Sequence, residues 1–193
     1  MTSVIIPIYN EPYAEVFHKI LLRALPKGEY EIVFVDDGSE VHLDLPGITL
    51  TRNFGAHAAV AAGLSVCKGD RAVVMSGDGQ DPYYMIPILA SIKWDVVFAV
   101  DEPQLVSKIY RLITRTVTGG MFCISRDVID DFNKLPFRCS SLYTSILSLG
   151  YGYETVPYIK NERIIGKSKW TLADKFKLLF DSFSVGRYYY EIK

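Results

Sequence analysis

Residues 30–39 read YEIVFVDDGS: a run of β-branched and aromatic side chains that passes directly into two acids, a glycine and a serine. The apolar run has the composition of a strand, and Asp-Gly-Ser is turn chemistry. The same order recurs on either side. SVIIPIY (3–9) precedes it, while GITLTRN (47–53), RAVVMSG (71–77) and WDVVFAV (94–100) follow. Between these runs lie 11–25, 57–67 and 83–92, which read as helices. Strands separated by helices predict an α/β fold: a mainly parallel central sheet with helices on both faces. Such sheets bind ligands at the carboxyl ends of their strands. The polar clusters of this chain fall at those ends.

Beyond residue 100 a helix is expected at 105–117, with Lys108, Arg111 and Arg115 largely opposite its apolar side. A strand follows at 119–125, helices at 126–135 and 139–149, and a strand at 153–159. With no internal repeat or low-complexity linker, residues 1–193 read as one domain. The tail, 171–193, mixes Lys, Arg, Phe and Tyr in the manner of an interfacial amphipathic segment, or of a helix packed on the core.

Hydrophobic residues at 49% and charged residues at 22% are those of a globular protein, which excludes a disordered chain. A net charge of −1 gives no general attraction to nucleic acid. Cys67, Cys123 and Cys139 lie far apart in or beside apolar segments, as free thiols in a reducing compartment do. Neither a signal-peptide pattern nor the ~18 consecutive apolar residues of a spanning helix occurs, so a protein soluble or peripheral to a membrane is expected.

Four segments carry candidate chemistry. Pro7-Ile8-Tyr9-Asn10-Glu11 leaves the first strand; Tyr9 offers a ring to a base and Glu11 an acceptor, or Asn10 simply caps the next helix. In Val35-Asp36-Asp37-Gly38-Ser39 two adjacent acids are costly to place together unless something uses them, as a base or ribose hydroxyl would; the other reading is an Asp-Gly turn. Neither GxGxxG nor GxxxxGK[ST] occurs near a strand, against dinucleotide and P-loop readings.

The third segment is Ser76-Gly77-Asp78-Gly79-Gln80-Asp81-Pro82. A hard divalent ion takes oxygen ligands, commonly one or two carboxylates plus substrate phosphates. In an extended segment Asp78 and Gln80 point to one side and face one ion together, and Gly77 and Gly79 allow close backbone approach. A polar turn before a Pro82-started helix is the alternative. The fourth is Glu162-Arg163-Ile164-Ile165-Gly166-Lys167-Ser168-Lys169, either a phosphate clamp or an exposed basic loop.

In the order SVIIPIYNE, VFVDDGS, TRNFGAHAAVAAGL, SGDGQDP and ERIIGKSKW, the chain resembles the family-2 glycosyltransferases of the GT-A fold over nearly its whole length. Within them it looks most like the polyprenol-phosphate (dolichol-phosphate) sugar transferases. The resemblance implies metal-dependent, inverting transfer of a sugar from a nucleotide-diphosphate donor of UDP or GDP type to a lipid phosphate at the cytosolic face of a membrane. It implies that Pro7, Tyr9, Glu11, Val35 and Asp37 cradle the nucleoside, and that Arg52-Asn53-Phe54-Gly55 and Gly77 shape the donor pocket. Asp78 and Gln80 would bind Mg²⁺ or Mn²⁺, with Arg163 and Lys169 on the diphosphate or acceptor phosphate. His57 reads as a helix-start residue. A homo-oligomer or a membrane-anchoring partner is left open.

Two departures from the family pattern stand out. Ser76 takes the place of the first acid of the usual Asp-x-Asp. The stretch between Val100 and Met121 is short, and Val117-Thr118-Gly119-Gly120 offers no acid to act as base. A hydroxyl acceptor deprived of a general base would lose roughly 10²–10⁴ in rate. A phosphate acceptor, with a second pKa near ~6, is already ionised. Asp101 and Glu102 are fallback bases. The departures also frame two competing functions: a nucleotide-sugar-binding partner subunit without turnover, or a transferase extending a polysaccharide at a hydroxyl.

Overall fold

The computed structural model describes residues 1–101, 120–135 and 142–162. The expectations placed on 105–117, Cys139, Glu102, Arg163, Lys169 and the 171–193 tail lie outside them.

The described elements run β1 (Thr2–Ile8), α1 (Ala14–Ala24), β2 (Tyr30–Asp36), β3 (Gly47–Thr49), α2 (Ala56–Val66), β4 (Arg71–Val74), α3 (Met85–Ser91), β5 (Val96–Val100), β6 (Phe122–Ser125), α4 (Arg126–Lys134), α5 (Leu142–Ser148) and β7 (Tyr153–Pro157). The strands form one sheet in the order β3-β2-β1-β4-β6-β5-β7. β1 pairs in parallel with β2 and β4, β2 with β3, and β5 with β7. Only β6 runs against its neighbours, β4 and β5. The mainly parallel sheet expected from the sequence is therefore present. Its single reversed strand brings Gly120 and Met121, which lead into β6, to the same rim as the carboxyl ends of the others.

Both faces are covered. On one, Val33, Val35 and Val74 pack with Ala59 and Leu64 of α2, Val128 and Phe132 of α4, and Ile146 of α5. On the other, Val4, Ile6, Phe34 and Val73 pack with Phe17 and Leu21 of α1 and Ile86 and Leu89 of α3. Alternate residues of each strand serve opposite cores, which is why the strands read as unbroken apolar runs. Phe34, Phe98, Phe122 and Phe132 are fully buried, each worth about 1.5–3 kcal/mol of apolar transfer. α1 and α4 carry an acid in the first turn (Glu15, Asp127) and a base in the last (Arg23, Lys134), matching the helix dipole. None of the described helices is long and apolar enough to cross a membrane.

Two local expectations are corrected, while β1 runs through Pro7 to Ile8, in register with Asp36. Pro7 is tolerated because β4 pairs only with Thr2–Ile5, so the missing N–H falls beyond that ladder. The strand expected at 47–53 is three residues long, Gly47–Thr49. Residues 76–80 form a turn, with Gly79 at φ +76°, instead of the extended segment that would align side chains 78 and 80. Cys67 and Cys123 are buried free thiols, as expected.

Candidate active site

The exits of β1, β2, β3 and β4 converge on one rim. After β1, Asn10 adopts φ +46°, a conformation Asn tolerates better than most residues. Its backbone N–H donates to Ser39 Oγ at 2.8 Å, and its side-chain Oδ1 accepts from Glu40 N at 2.9 Å. The β1 exit is thereby clamped to the β2 exit. Tyr9 and Glu11 are half-buried beside it.

The two adjacent acids of β2 are used by the protein itself. Asp36 Oδ1 accepts from Ser39 N (2.9 Å) and Ser39 Oγ (2.6 Å), closing the turn, and His42 lies 3.7 Å from Oδ2. Asp37, 3% exposed, accepts from Phe54 N with Oδ1 and from Gly55 N with Oδ2, both at 2.8 Å. Burial, aided by neighbouring Asp36, holds its carboxyl above the ordinary carboxylate value despite those amides. In this arrangement Asp37 fixes the loop after β3 instead of presenting a bare carboxylate to solvent. Asn53 in that loop is exposed, and the Arg52 guanidinium sits 4.3 Å over the Phe54 ring.

Val35 departs from its expected role. It is 0% exposed within the core, so its side chain cannot line a nucleoside cradle. Its place in the sheet positions Asp36 and Asp37. His57 lies at the start of α2, where Nδ1 accepts from Leu142 N at 3.3 Å; it ties α2 to the start of α5, in keeping with a structural role.

The turn after β4 is the densest polar cluster on the rim. Gly77 crosses the end of β1 so closely that a Cβ there would lie 2.6 Å from Ile8 Cγ2. Asp78 and Gln80 are half-buried and joined by Gln80 N donating to Asp78 Oδ1 at 3.2 Å. The turn, not strand alternation, brings these two residues together. Asp78 and Gln80 supply the hard oxygen donors that Mg²⁺ or Mn²⁺ prefers. No group of three or more His, Cys, Asp or Glu placed to hold a metal ion occurs among the described residues, so an ion at Asp78 and Gln80 would also lean on phosphate and water.

Asp81, passed over in reading the strand ends, is the buried acid beneath this turn. It is 1% exposed. Oδ2 accepts from Ser76 N and Ser76 Oγ, both at 2.8 Å, and Oδ1 accepts from Tyr158 Oη at 2.9 Å. Ser76 Oγ also lies 2.8 Å from Asp78 Oδ1, so its single hydroxyl proton serves two carboxylates. Burial, followed by the nearby Asp81 charge, drives the Tyr158 phenol far above its usual range, and it stays a donor. Asn161 N donates to Gln80 O at 2.8 Å, joining the exit of β7 to the same turn. Asp101, the fallback base, is half-buried just past β5. The acidic Asp81 in the stretch 76–82 was legible; Tyr158 carried no local signal.

Comparison with known proteins gives the family and the fold. Residues 3–142 match the profile of the family described as glycosyl transferase family 2. An undecaprenyl-phosphate 4-deoxy-4-formamido-L-arabinose transferase from Pseudomonas fluorescens is 30% identical over 93% of this chain and 62% of its own. A bactoprenol glucosyl transferase from Shigella phage SfV is 30% identical over 89% of this chain and 69% of its own. The chain thus spans about two thirds of the length of these curated relatives. In structure it is similar to a mannosyltransferase from Pyrobaculum calidifontis solved with GDP-mannose and Mn²⁺, with a TM-score of 0.66 at 21% identity over 96% of this chain and 63% of that one. That likeness gives the fold, which is GT-A.

Proposed function

Since the chain belongs to glycosyl transferase family 2, we propose that it transfers a sugar from a nucleotide-diphosphate donor to a polyprenol phosphate at a membrane surface, with inversion at the anomeric carbon. The observation that carries this reading is the turn after β4: a half-buried Asp78 and Gln80, held from beneath by buried Asp81, at the rim where β1 and β2 also end. The relatives named for undecaprenyl phosphate and bactoprenol support the acceptor class.

Tyr9 and Glu11, with Pro7 behind them, face the nucleoside, while Asp37 holds the 52–55 loop as the wall of its pocket. Asp78 and Gln80 hold Mn²⁺ or Mg²⁺, which when bound offsets charge developing on the nucleoside diphosphate leaving group. From the sequence, Arg163 and Lys169 add fixed positive charge for the diphosphate or the acceptor phosphate. An ionised lipid phosphate attacks without a strong base, so the absence of an acid at 117–120 is compatible with turnover. The protein works peripherally, at the cytosolic side of the membrane.

One observation favours a second reading. Ser76, in place of an acid, leaves the turn with one carboxylate fewer for the metal, as a nucleotide-sugar-binding partner subunit would tolerate. Release of UDP or GDP from common sugar conjugates, measured with and without a polyprenol phosphate in detergent, separates the two. Acceptor-dependent release that EDTA abolishes is expected; tight donor binding with no release under any condition would favour the partner subunit.

A further inference from the structure

Tyr158 lies far along the chain from the turn after β4, yet its hydroxyl reaches the buried carboxylate beneath that turn. The route is continuous. Tyr158 Oη donates to Asp81 Oδ1 at 2.9 Å, Asp81 Oδ2 takes Ser76 N and Oγ at 2.8 Å each, and Ser76 Oγ meets Asp78 Oδ1 at 2.8 Å. Tyr158 is itself fixed: it is buried, and its N–H donates to Val100 O at 3.1 Å. The reversed strand β6 makes room for the contact. A Cβ at Gly120 would lie 2.6 Å from Tyr158 Oη and 2.7 Å from Asp81 Oδ1.

We propose that Tyr158 is a positioning residue for the metal-binding turn: it orients Asp81, which through Ser76 sets Asp78 in place for a divalent ion. This rests on the reading of Asp78 as a metal ligand. Outer partners of this kind set the aim and basicity of the ligand they touch. Here the lever matters more because Ser76 brings a hydroxyl where a second ligating acid would stand, so the single carboxylate of Asp78 has to be well placed.

The test is Mn²⁺ uptake, read by loss of the free-ion paramagnetic signal, on the folded full chain with saturating UDP and separately GDP. Tyr158→Phe keeps the ring and removes one oxygen; its Mn²⁺ affinity is expected to fall about tenfold, with nucleotide binding in EDTA unchanged. Asp81→Asn is expected to fall alike, and the double variant to lose no more than Asp81→Asn alone. Tyr151→Phe breaks a comparable Tyr–Asp bond, to Asp131 Oδ2 at 2.8 Å, and should leave Mn²⁺ affinity intact. If Tyr158→Phe does not fold, Asp81→Asn carries the same comparison. Wild-type uptake matched by the variants would overturn the positioning role while sparing the metal site. No uptake by wild type would overturn both.

Discussion

The two rims of the sheet solve the same problem with opposite chemistry. At the amino ends of the parallel strands, polar groups close on one another. Ser3 Oγ donates to Glu31 Oε1, which also receives Lys68 N, and Gly69 N donates back to Ser3 Oγ. Arg126 covers the carbonyls of Cys67 and Gly69, Arg71 Nη2 donates to Trp94 O, and the N-terminal ammonium pairs with Asp70. Cations meet carbonyls and acids there. At the carboxyl ends, Asp36, Asp37, Asp78 and Asp81 gather. Their hydrogen bonds there include backbone amides and hydroxyls, with His42 3.7 Å from Asp36 and the Lys160 ammonium near Asp81 across Gly120. The first rim closes cations on carbonyls and acids; the second collects acids, and under the proposed function it is the side that receives the metal ion and the donor.

That contrast can be broken by substitution. The largest effect is expected from Asp78→Ala, which should weaken metal-dependent nucleotide binding by at least about 100-fold, the upper end of what a mere outer partner costs. A small loss would mean the turn is not the cation site. Arg126→Ala, on the opposite rim, leaves two loop carbonyls short of a donor. It should cost about 1–3 kcal/mol of stability, roughly 2–10 °C in thermal unfolding at this size, with nucleotide and metal binding unchanged. Altered binding would erase the division between the rims.

Ser76→Asp sharpens the comparison from the other side. It places a third carboxylate between Asp78 and Asp81, whose oxygens now share one hydroxyl at 2.8 Å. The metal-free protein should melt a few degrees lower, ~1 kcal/mol or more, and Mn²⁺ should restore what was lost. Destabilisation that Mn²⁺ does not relieve would place the ion elsewhere.

The smallest effect concerns Asp37, whose carboxyl is held above its ordinary value by burial. The folded state therefore binds its proton more tightly than the unfolded chain does. Its contribution to stability is most favourable at low pH and declines as pH rises through the raised value. Against Asp37→Asn, wild type should lose relative stability as pH climbs across the carboxylate range. The opposite slope in paired melting curves would mean that the Phe54 and Gly55 amides outweigh burial.

Much of this was legible in the sequence because the signals were local. Unbroken apolar runs marked strands covered on both faces, and Gly, Asp and Pro marked their exits, so the sheet and its active rim followed. The errors were also local. Side chains 78 and 80 were aligned by strand alternation, whereas Gly79 turns the chain. Val35 was placed in the cradle by the family resemblance, although strand alternation sends its side chain into the core. Illegible in principle was the Tyr158–Asp81 contact, set by the order β4-β6-β5-β7 and the one reversed strand. No periodicity encodes a partner three strands away in chain order.

The central claim is that the turn after β4 binds a divalent ion together with a nucleoside diphosphate. Calorimetric titration of UDP, GDP and their sugar conjugates into wild type and Asp78→Ala, with Mn²⁺ and with EDTA, tests it most directly. The account predicts binding of one nucleotide class that Mn²⁺ tightens relative to EDTA, with that gain lost in Asp78→Ala. Binding of equal strength with Mn²⁺ and with EDTA, or a gain that persists in Asp78→Ala, would contradict it.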